Sequence, residues 1–314
     1  MPLISFANAR CLVVGYGSIG MRHSRILGEL GCNVSVMSRR VDAVDSIVSY
    51  DNISDALQSQ QPNYVVIANE TAQHHPTLEQ LIELEYQGAV LIEKPLFNVP
   101  QRIPENQFSD LRVAYNLRFH PVVLALKSAL ANQKILSVHS YVGQYLPDWR
   151  PGTDYRQSYS AHAKSGGGVL LDLSHDLDYL SWMFGDWLKV TALGGQLSKL
   201  ELSSDDIFSM LITYAECPIA SVQLNYLDRL GRRRIIINTL DHTYEADLIQ
   251  NKIVIDKDEE YFIVERDDTY RAMHVAMLLN QENFTCTAQE ALKTLQLIDA
   301  ARQCADATKW VGVV

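Results

Sequence analysis

The chain has 314 residues, of which 47% are apolar and 20% are charged, and its formal net charge is −10. This length suffices for two domains with separate cores, and the composition is typical of a globular protein. The acidic balance argues against a broad surface for nucleic acid or for an anionic membrane, because either would need clustered cations. We therefore expect no nucleic-acid partner and no membrane partner.

Cysteine spacing and the N-terminal residues indicate the cellular compartment. The five cysteines are scattered without C-x-x-C spacing, which is typical of reduced thiols in a cytosolic protein. The first ten residues lack a signal-peptide pattern. No uncharged run reaches the roughly 18 residues that a membrane helix needs. These features predict a cytoplasmic protein.

The first third of the chain alternates short apolar runs with helix-like segments. Strands are predicted at residues 11–14, 33–37, 64–68, 90–92 and 112–116. Helices are predicted from a glycine loop to about residue 30 and at residues 42–50, 54–60 and 76–87. Strand–helix alternation at this spacing favours βαβ units and a parallel sheet. We therefore predict a doubly wound α/β domain over residues 1–118.

The chain changes character beyond residue 118. A helix at 122–131 and a strand at 135–143 precede an aromatic and charged loop, 145–165, and one long helix at 168–184. Strands follow at residues 189–197, 208–214, 220–226, 234–239, 243–248 and 252–256. Short turns between successive strands favour a mostly antiparallel sheet. Thr287 and Glu290 match a capping box before a final helix, which gives an α+β domain over residues 119–314.

A glycine-rich loop follows the first strand and opens a helix, the context in which this pattern favours dinucleotide binding. Gly15 permits the tight turn, Gly17 lets the backbone approach a pyrophosphate, and Gly20 allows close helix–strand packing. Free N–H groups at the helix start, near Ser18 and Ile19, favour the anion. The alternative is a glycine-rich turn that binds no ligand.

The residues after the second strand indicate which cofactor is used. An acidic residue there accepts a hydrogen bond from the ribose of NAD, whereas an arginine accommodates the 2′-phosphate of NADP. Here Ser38, Arg39 and Arg40 follow the strand, with no acid before Asp42. Ser38 can hydrogen-bond a phosphate, and Arg39 can pair with it while stacking on adenine. The sequence predicts NADP(H) in preference to NAD(H), the alternative being a solvated arginine pair.

Glu93-Lys94-Pro95 stands directly after the apolar run at residues 89–92. Ligands collect outside the carboxyl ends of strands in open α/β sheets, so Lys94 is placed for chemistry; the alternative is a surface ammonium. Further along, residues 166–168 are three glycines, followed by Asp172 and His175. The alternative for this last pair is a hydrogen-bonded helix pair.

Together these motifs resemble those of the Gfo/Idh/MocA family, named for glucose–fructose oxidoreductase, inositol dehydrogenase and a rhizopine catabolism protein. The resemblance rests on residues 15–23, 67–74, 93–95, 115–121 and 166–175. It implies a Rossmann domain over residues 1–118, for which the residues after the second strand predict NADP, and a substrate-binding and oligomerisation domain over residues 119–314. It also implies hydride exchange with a sugar, cyclitol or related polyol, in a homodimer or homotetramer formed through the C-terminal sheet.

The resemblance also implies roles for single residues. Lys94 resembles the catalytic lysine beside the reacting hydroxyl, with Pro95 in a cis peptide, and Asp172 and His175 resemble the acid/base and substrate-orienting pair. Their spacing is three residues where many members have four, and on one helix both spacings share a face. Whether Lys94 or His175 is the principal base stays open. Further cofactor contacts are predicted at Asn69, Glu93, Lys94, Asn116 and Arg118, with a domain-junction hydrogen bond as the alternative for the last two.

The loop at residues 145–159 is the most individual segment of the chain. Trp149, Tyr155 and Tyr159 offer flat faces for sugar rings, and Arg150 and Arg156 offer forks for carboxylate or phosphate. The alternative is a packed loop with salt-bridged arginines. The loop resembles that of family members associated with bacterial surface-sugar biosynthesis, which implies a nucleotide sugar or an acidic sugar. The predicted substrate contacts are Lys94, Trp149, Arg150, Tyr155, Arg156, Tyr159, Asp172 and His175.

Two rival functions use the same motifs: reduction of another carbonyl or imine compound, and cofactor sensing without turnover. Joint retention of Lys94, Asp172 and His175 disfavours a sensor, because a sensor needs only the glycine loop. No metal site is predicted, since the acids after the glycines do not complete a ligand set. Histidines 23, 74, 75 and 120 are interpreted as structural or capping groups, and the arginines at 232–234 as a charge cluster on a strand edge.

Overall fold

A computed structural model describes residues 6–38, 47–281 and 283–307. The chain forms two compact units. One comprises the residues up to Phe119 together with Glu265–Leu292, and the other comprises His120–Val264 and the chain from Lys293 onward. Most of the helix expected at residues 42–50 lies outside the described residues, as do Arg39 and Arg40.

The elements are numbered in chain order through the described residues. The strands are β1 (Arg10–Val14), β2 (Asn33–Met37), β3 (Val48–Tyr50), β4 (Tyr64–Ile67), β5 (Ala89–Ile92), β6 (Asp110–Val113), β7 (Ile135–Gly143), β8 (Trp187–Gly195), β9 (Ile207–Tyr214), β10 (Ala220–Asn225), β11 (Arg232–Thr239), β12 (Thr243–Asp247), β13 (Lys252–Ile255), β14 (Asp258–Tyr261) and β15 (Cys286–Thr287). The α-helices are α1 (Ser18–Glu29), α2 (Ile53–Gln60), α3 (His74–Glu83), α4 (Pro121–Ala129), α5 (Val169–Asp172), α6 (His175–Phe184), α7 (Asp268–Leu278) and α8 (Ala288–Ala307).

The first unit is built on a sheet with the order β15-β6-β5-β4-β1-β2-β3. Strands β1 to β6 pair in parallel, and β15 joins the edge antiparallel to β6. The central strands are buried along their length because helices cover both faces of such a sheet. The strand order reverses between β1 and β4, which is the doubly wound Rossmann arrangement. The predicted fold class is therefore confirmed for this part of the chain.

The second unit contains a larger sheet with the order β14-β13-β12-β11-β7-β10-β9-β8. Its strands pair antiparallel except for the parallel pair of β7 and β10. The predicted mostly antiparallel sheet is confirmed. The prediction of an edge position for the arginines at 232–234 is wrong, because β11 pairs with β7 on one side and β12 on the other.

Local structure differs from the sequence prediction in four places. Residues 48–50 form strand β3 rather than the end of a helix, since Val48 and Tyr50 pair in register with β2. The single helix expected over residues 168–184 is two helices, because Leu173 has φ −97° and ψ 19°, outside the α-helical region. Strand β14 and helix α7 had not been predicted. The capping box is confirmed: the Glu290 N–H donates to Thr287 Oγ1 (3.2 Å) and the Thr287 N–H to Glu290 Oε2 (2.8 Å).

Within the described chain, none of the helices has both the length and the apolarity that crossing a bilayer requires.

Candidate active site

The glycine loop connects β1 to α1 with very little space around two of its residues. Gly15 has φ +98°, and a Cβ there would lie 2.7 Å from the backbone of Asn69. A Cβ on Gly20 would lie 2.0 Å from the Gly15 carbonyl oxygen, so α1 can approach the loop this closely only with glycine. Nothing lies within 4 Å of a Cβ built on Gly17, which leaves its backbone open to a ligand. The loop and the N-terminus of α1, with Ser18 and Ile19, can hold a pyrophosphate.

Two further predicted cofactor residues lie at the carboxyl ends of strands next to the glycine loop. Ser38 follows β2, is buried, and its N–H donates to the Tyr50 carbonyl (3.1 Å). Asn69 lies just beyond β4, and its amide N–H donates to Thr77 Oγ1 (2.8 Å). Its Oδ1 is buried and makes no hydrogen bond within the described residues. Both residues lie beyond the carboxyl ends of the strands, where a Rossmann fold binds its dinucleotide.

Lys94 lies at the same end of the sheet, directly beyond β5. The Lys94–Pro95 peptide is cis, which confirms the prediction. His74, at the start of α3, holds the turn that follows: its Nδ1 lies 3.0 Å from the Pro95 carbonyl oxygen and 3.2 Å from that of Leu96. Burial lowers the pKa of His74, so this contact is made by a neutral imidazole. The structural role predicted for His74 fits these contacts.

Glu93 is oriented into the first unit, away from solvent. Its Oε1 lies 2.8 Å from His23 Nε2, and its Oε2 accepts the N–H of Lys94 (3.0 Å). Both carboxylate oxygens are therefore engaged by the protein itself. His23 in turn lies 2.8 Å from His274 of α7. The sequence analysis does not identify His274, because it lies beside His23 only where residues 265–292 rejoin the first unit, and no local sequence pattern indicates this.

Asn116 and Arg118 lie on the 3-10 turn Asn116–Phe119. The Asn116 amide donates to Thr269 Oγ1 (2.7 Å), and Arg118 Nη1 lies 3.3 Å from Glu290 Oε1. Both partners belong to the returning segment Glu265–Leu292. Asn116 and Arg118 thus bind the end of the sheet to that segment by hydrogen bonds within one unit, not across the domain junction.

In the second unit, Asp172 ends α5 and is buried among tyrosines. The Tyr226 hydroxyl donates to Asp172 Oδ2 (2.6 Å), and Tyr159 also hydrogen-bonds to Asp172. The Asp172 charge and burial raise the pKa of Tyr159, and burial with the same carboxylate raises that of Tyr226. Both hydroxyls therefore stay protonated donors to the carboxylate. The sequence analysis does not include Tyr226 among the site residues. Its position directly after a strand, β10, is the feature that could have indicated a site residue.

His175 is the first residue of α6, whereas Asp172 is the last residue of α5. Two residues, Leu173 and Ser174, separate the helices. The argument that one continuous helix places Asp172 and His175 on a shared face is therefore wrong for this chain. Helical periodicity therefore does not determine how these two side chains are placed.

The two arginines of the loop have different surroundings. Arg156 pairs with Asp154 (2.9 Å) and Glu201 (3.2 Å), and the Tyr155 hydroxyl accepts the Glu201 N–H (3.0 Å). These contacts match the salt-bridged alternative for Arg156. Arg150 instead lines a shallow surface pocket together with Trp149 and Tyr155.

Trp149 and Tyr155 line the same shallow surface pocket as Arg150. The Trp149 indole N–H donates to the Gln144 carbonyl (3.2 Å), and its ring meets the Tyr226 ring edge-on at 5.2 Å between centroids. Because Tyr226 also holds Asp172, the aromatic contact links the loop to the Asp172 cluster within this unit. The pocket combines flat apolar faces with one guanidinium.

A Rossmann sheet with a glycine loop after β1 and a lysine after β5, joined to a second domain, is typical of nicotinamide-dependent oxidoreductases. Residues 9–107 match the model of an oxidoreductase family with an NAD-binding Rossmann fold, and residues 123–245 match that of the GFO/IDH/MocA C-terminal domain. The chain belongs to the Gfo/Idh/MocA family of oxidoreductases. A comparison with curated proteins found no match.

Solved structures share this fold at low sequence identity. GenD2 from gentamicin A biosynthesis, in complex with NAD, is 21% identical with a TM-score of 0.76, covering 95% of this chain and 94% of that one. The WlbA dehydrogenase of Bordetella pertussis, in complex with NADH and UDP-GlcNAcA, is 18% identical (TM-score 0.78; 95% and 96% covered). A levoglucosan dehydrogenase in complex with NADH is 14% identical (TM-score 0.80; 95% and 97% covered).

Proposed function

We propose that the protein is an NADP(H)-dependent oxidoreductase that transfers a hydride between the nicotinamide and a hydroxyl or carbonyl carbon of a sugar, nucleotide sugar or related polyol. The observation that carries this proposal is the position of Lys94. Lys94 follows the carboxyl end of β5, and the glycine loop follows the carboxyl end of β1. Only β4 lies between these two strands. An amine at that end of the sheet is placed to exchange a proton where a bound dinucleotide would present its reactive end.

The proposed roles follow from what alcohol oxidation requires. The bound cofactor supplies the hydride acceptor, and the protein must remove the hydroxyl proton as the hydride leaves. Lys94 and His175 are the proton-transfer candidates, since an amine and an imidazole can each titrate near working pH. Asp172 orients the substrate as a carboxylate held by Tyr226 and Tyr159. In the reductive direction the Lys94 ammonium would polarise the carbonyl and donate the proton.

The proposed substrate class is a nucleotide sugar or an acidic sugar. The pocket beside Trp149 and Tyr155 supports it, because Arg150 can pair with a carboxylate or phosphate while the rings face a sugar. The dehydrogenase crystallised with NADH and UDP-GlcNAcA supports the same class by its shared fold. We further propose that the first unit serves the cofactor, that the second unit serves substrate and assembly, and that the enzyme acts in the cytoplasm.

A substrate screen tests the proposed function. Purified protein is incubated with NADP⁺ or NADPH and a panel of free sugars, polyols, sugar acids and nucleotide sugars, and the absorbance of the reduced cofactor is followed. We expect turnover with at least one nucleotide sugar or sugar acid. Turnover confined to non-sugar carbonyl or imine compounds would instead identify the rival reductase. Binding of NADPH without turnover of any compound would identify a sensor.

The NADP(H) preference rests on Ser38, Arg39 and Arg40 after β2. Replacing Arg39 by aspartate is expected to weaken NADPH binding much more than NADH binding, because the change removes a phosphate partner and adds a repelling carboxylate. Titration of cofactor fluorescence measures both dissociation constants. Equal losses for the two cofactors would contradict the assignment.

Tyr226 provides a test of the orienting role of Asp172. Tyr226→Phe removes one hydroxyl donor from a buried carboxylate, and such a loss typically costs about 1–3 kcal/mol. We expect weaker substrate binding, seen as a raised KM, with the NADPH dissociation constant unchanged. Tyr261→Phe, an exposed tyrosine of β14, serves as the control, and an equal effect from it would refute a specific role of Tyr226.

We also propose assembly as a homodimer or homotetramer through the second sheet. Exposed leucines support it: Leu193 of β8 and Leu211 of β9 lie on neighbouring strands, 41% and 55% exposed. Burying such residues against a second copy would remove apolar surface from water. Light scattering of the full chain measures the assembly directly, and a monomer would contradict this part of the proposal.

A further inference from the structure

A buried row of polar side chains runs through the first unit and ends at Lys94. The Tyr64 hydroxyl lies 3.0 Å from His274 Nδ1, and His274 Nε2 lies 2.8 Å from His23 Nδ1. His23 Nε2 lies 2.8 Å from Glu93 Oε1. Tyr64, His274, His23 and Glu93 are each at most 6% exposed. We call these four residues the Glu93 network.

The four members come from four separate elements. Tyr64 begins β4, His23 lies on α1, Glu93 follows β5, and His274 lies on α7 of the returning segment. A buried polar group without a partner is costly, so a row of four must be fully hydrogen-bonded to be stable. Once satisfied, such a network rigidifies the elements it joins. The place that it fixes here is the carboxyl end of β5.

The direction of every hydrogen bond follows from Glu93. A carboxylate only accepts, so His23 must donate from Nε2 and Lys94 from its backbone nitrogen. A neutral His23 then accepts at Nδ1 from His274 Nε2–H, and His274 accepts at Nδ1 from the Tyr64 hydroxyl. Burial lowers the pKa of His274 well below its ordinary value, which agrees with a neutral ring. Each hydrogen in the row is thereby accepted.

A doubly protonated His23 would reverse the direction of the two hydrogen bonds that join His23 to His274 and His274 to Tyr64. Its Nδ1 would then donate to His274 Nε2, and His274 Nδ1–H would donate to the Tyr64 oxygen. The Tyr64 hydroxyl hydrogen would be left without an acceptor among the residues described, since His274 is its one hydrogen-bond partner there. Counting donors and acceptors among the described residues therefore favours the arrangement with one hydrogen on each ring.

We propose that the Glu93 network is a positioning device for Lys94, in which His274 donates from Nε2 to His23, His23 donates from Nε2 to the Glu93 carboxylate, and that carboxylate fixes the Lys94 backbone. The proposal rests on the proposed function for the catalytic meaning of Lys94. It assigns His23, His274 and Tyr64 a role at a distance from the chemistry. None of these three residues needs to touch substrate or cofactor.

Histidine tautomers provide a test that does not depend on turnover. Long-range ¹H–¹⁵N correlation of the full chain labelled at histidine reports which ring nitrogens carry protons, and His23→Gln and His274→Gln assign the signals. We expect both rings to be protonated at Nε2 and bare at Nδ1 at neutral pH. A doubly protonated His23, or an Nδ1–H tautomer of either ring, would overturn the assigned arrangement.

Amide exchange and kinetics test the positioning. His23→Leu removes the donor to Glu93, whereas His23→Gln retains an N–H that can reach it. In His23→Leu we expect the Lys94 N–H to exchange with solvent at least about tenfold faster, because a released carboxylate no longer protects it. We expect kcat to fall about 10- to 100-fold, as for a small misplacement of a reacting group. The NADPH dissociation constant should be unchanged and His23→Gln should recover most of kcat.

Ser24→Ala is the matched control. Ser24 is next to His23 on α1, is buried, and its hydroxyl makes no hydrogen bond within the described residues. It should leave both amide exchange and kcat unchanged. If His23→Leu left Lys94 exchange and kcat unaltered, or if Ser24→Ala changed them equally, the positioning role would be refuted. Turnover that survives Lys94→Ala would instead refute the proposed function, with tautomers and amide exchange still reporting on the network.

Discussion

Lys94→Ala is expected to lower turnover by about 10²- to 10⁴-fold, the range that a positioned acid–base group contributes. The substitution removes the amine but retains the backbone N–H that donates to Glu93 (3.0 Å), so the turn after β5 should keep its form. The glycine loop is untouched, and we therefore expect the NADPH dissociation constant to stay the same. Following the absorbance of the reduced cofactor gives kcat, and cofactor fluorescence gives the dissociation constant.

Lys257→Ala is the control for this experiment. Lys257 is an exposed lysine in the turn between β13 and β14, and its loss removes the same charge from a place without proposed chemistry. Turnover close to that of the unaltered protein in Lys94→Ala would exclude Lys94 as the proton-transfer group and leave His175 as the remaining candidate. A parallel loss of NADPH affinity would show that Lys94 mainly binds cofactor.

The first sheet was predictable because its signals are local. The run at residues 89–92 is apolar without interruption, as a strand buried on both faces requires. Gly15 and Gly20 are placed where a Cβ would collide with backbone, so the loop could be recognised from glycine spacing. Thr287 and Glu290 form a capping box, a four-residue pattern that predicts the start of the helix that follows.

The contacts around these elements depend on distant parts of the chain and could not be predicted. His274 reaches His23 across 251 positions of sequence, and no local pattern indicates that residues 265–292 return to the first sheet. Asp172 and His175 are separated by a break at Leu173, which a helix of good apolar periodicity concealed. Tyr226 contacts Asp172 from another element, 54 residues away.

The contact of Arg233 with Asp176 also joins distant parts of the chain and could not be predicted from local sequence. We expect the loss of this contact to destabilise the protein strongly. On β11, an interior strand, its guanidinium lies 3.2 Å from Asp176, whose side chain is fully buried on α6. Tyr179 donates a further hydrogen bond to Asp176. Burial raises the pKa of Asp176 above its ordinary value, while Arg233 and Tyr179 oppose that shift. An arginine cluster that suggested an exposed edge therefore contains the partner of a buried carboxylate.

Arg233→Met should destabilise the protein by about 3–5 kcal/mol at neutral pH, since removing one partner leaves a buried charge uncompensated. A carboxyl whose pKa is higher folded than unfolded binds its proton more tightly in the folded state. Its contribution to stability is complete below the unfolded pKa of about 3.9 and is lost as the pH rises through the folded value. The deficit of Arg233→Met should therefore be largest near neutral pH and shrink on acidification. Urea unfolding at neutral pH and at acidic pH measures the free energy of unfolding of Arg233→Met and of the unaltered protein. Adding Asp176→Asn should restore part of the lost stability at neutral pH. A loss of stability that does not depend on pH would mean that lost packing, not the Asp176 charge, causes the destabilisation.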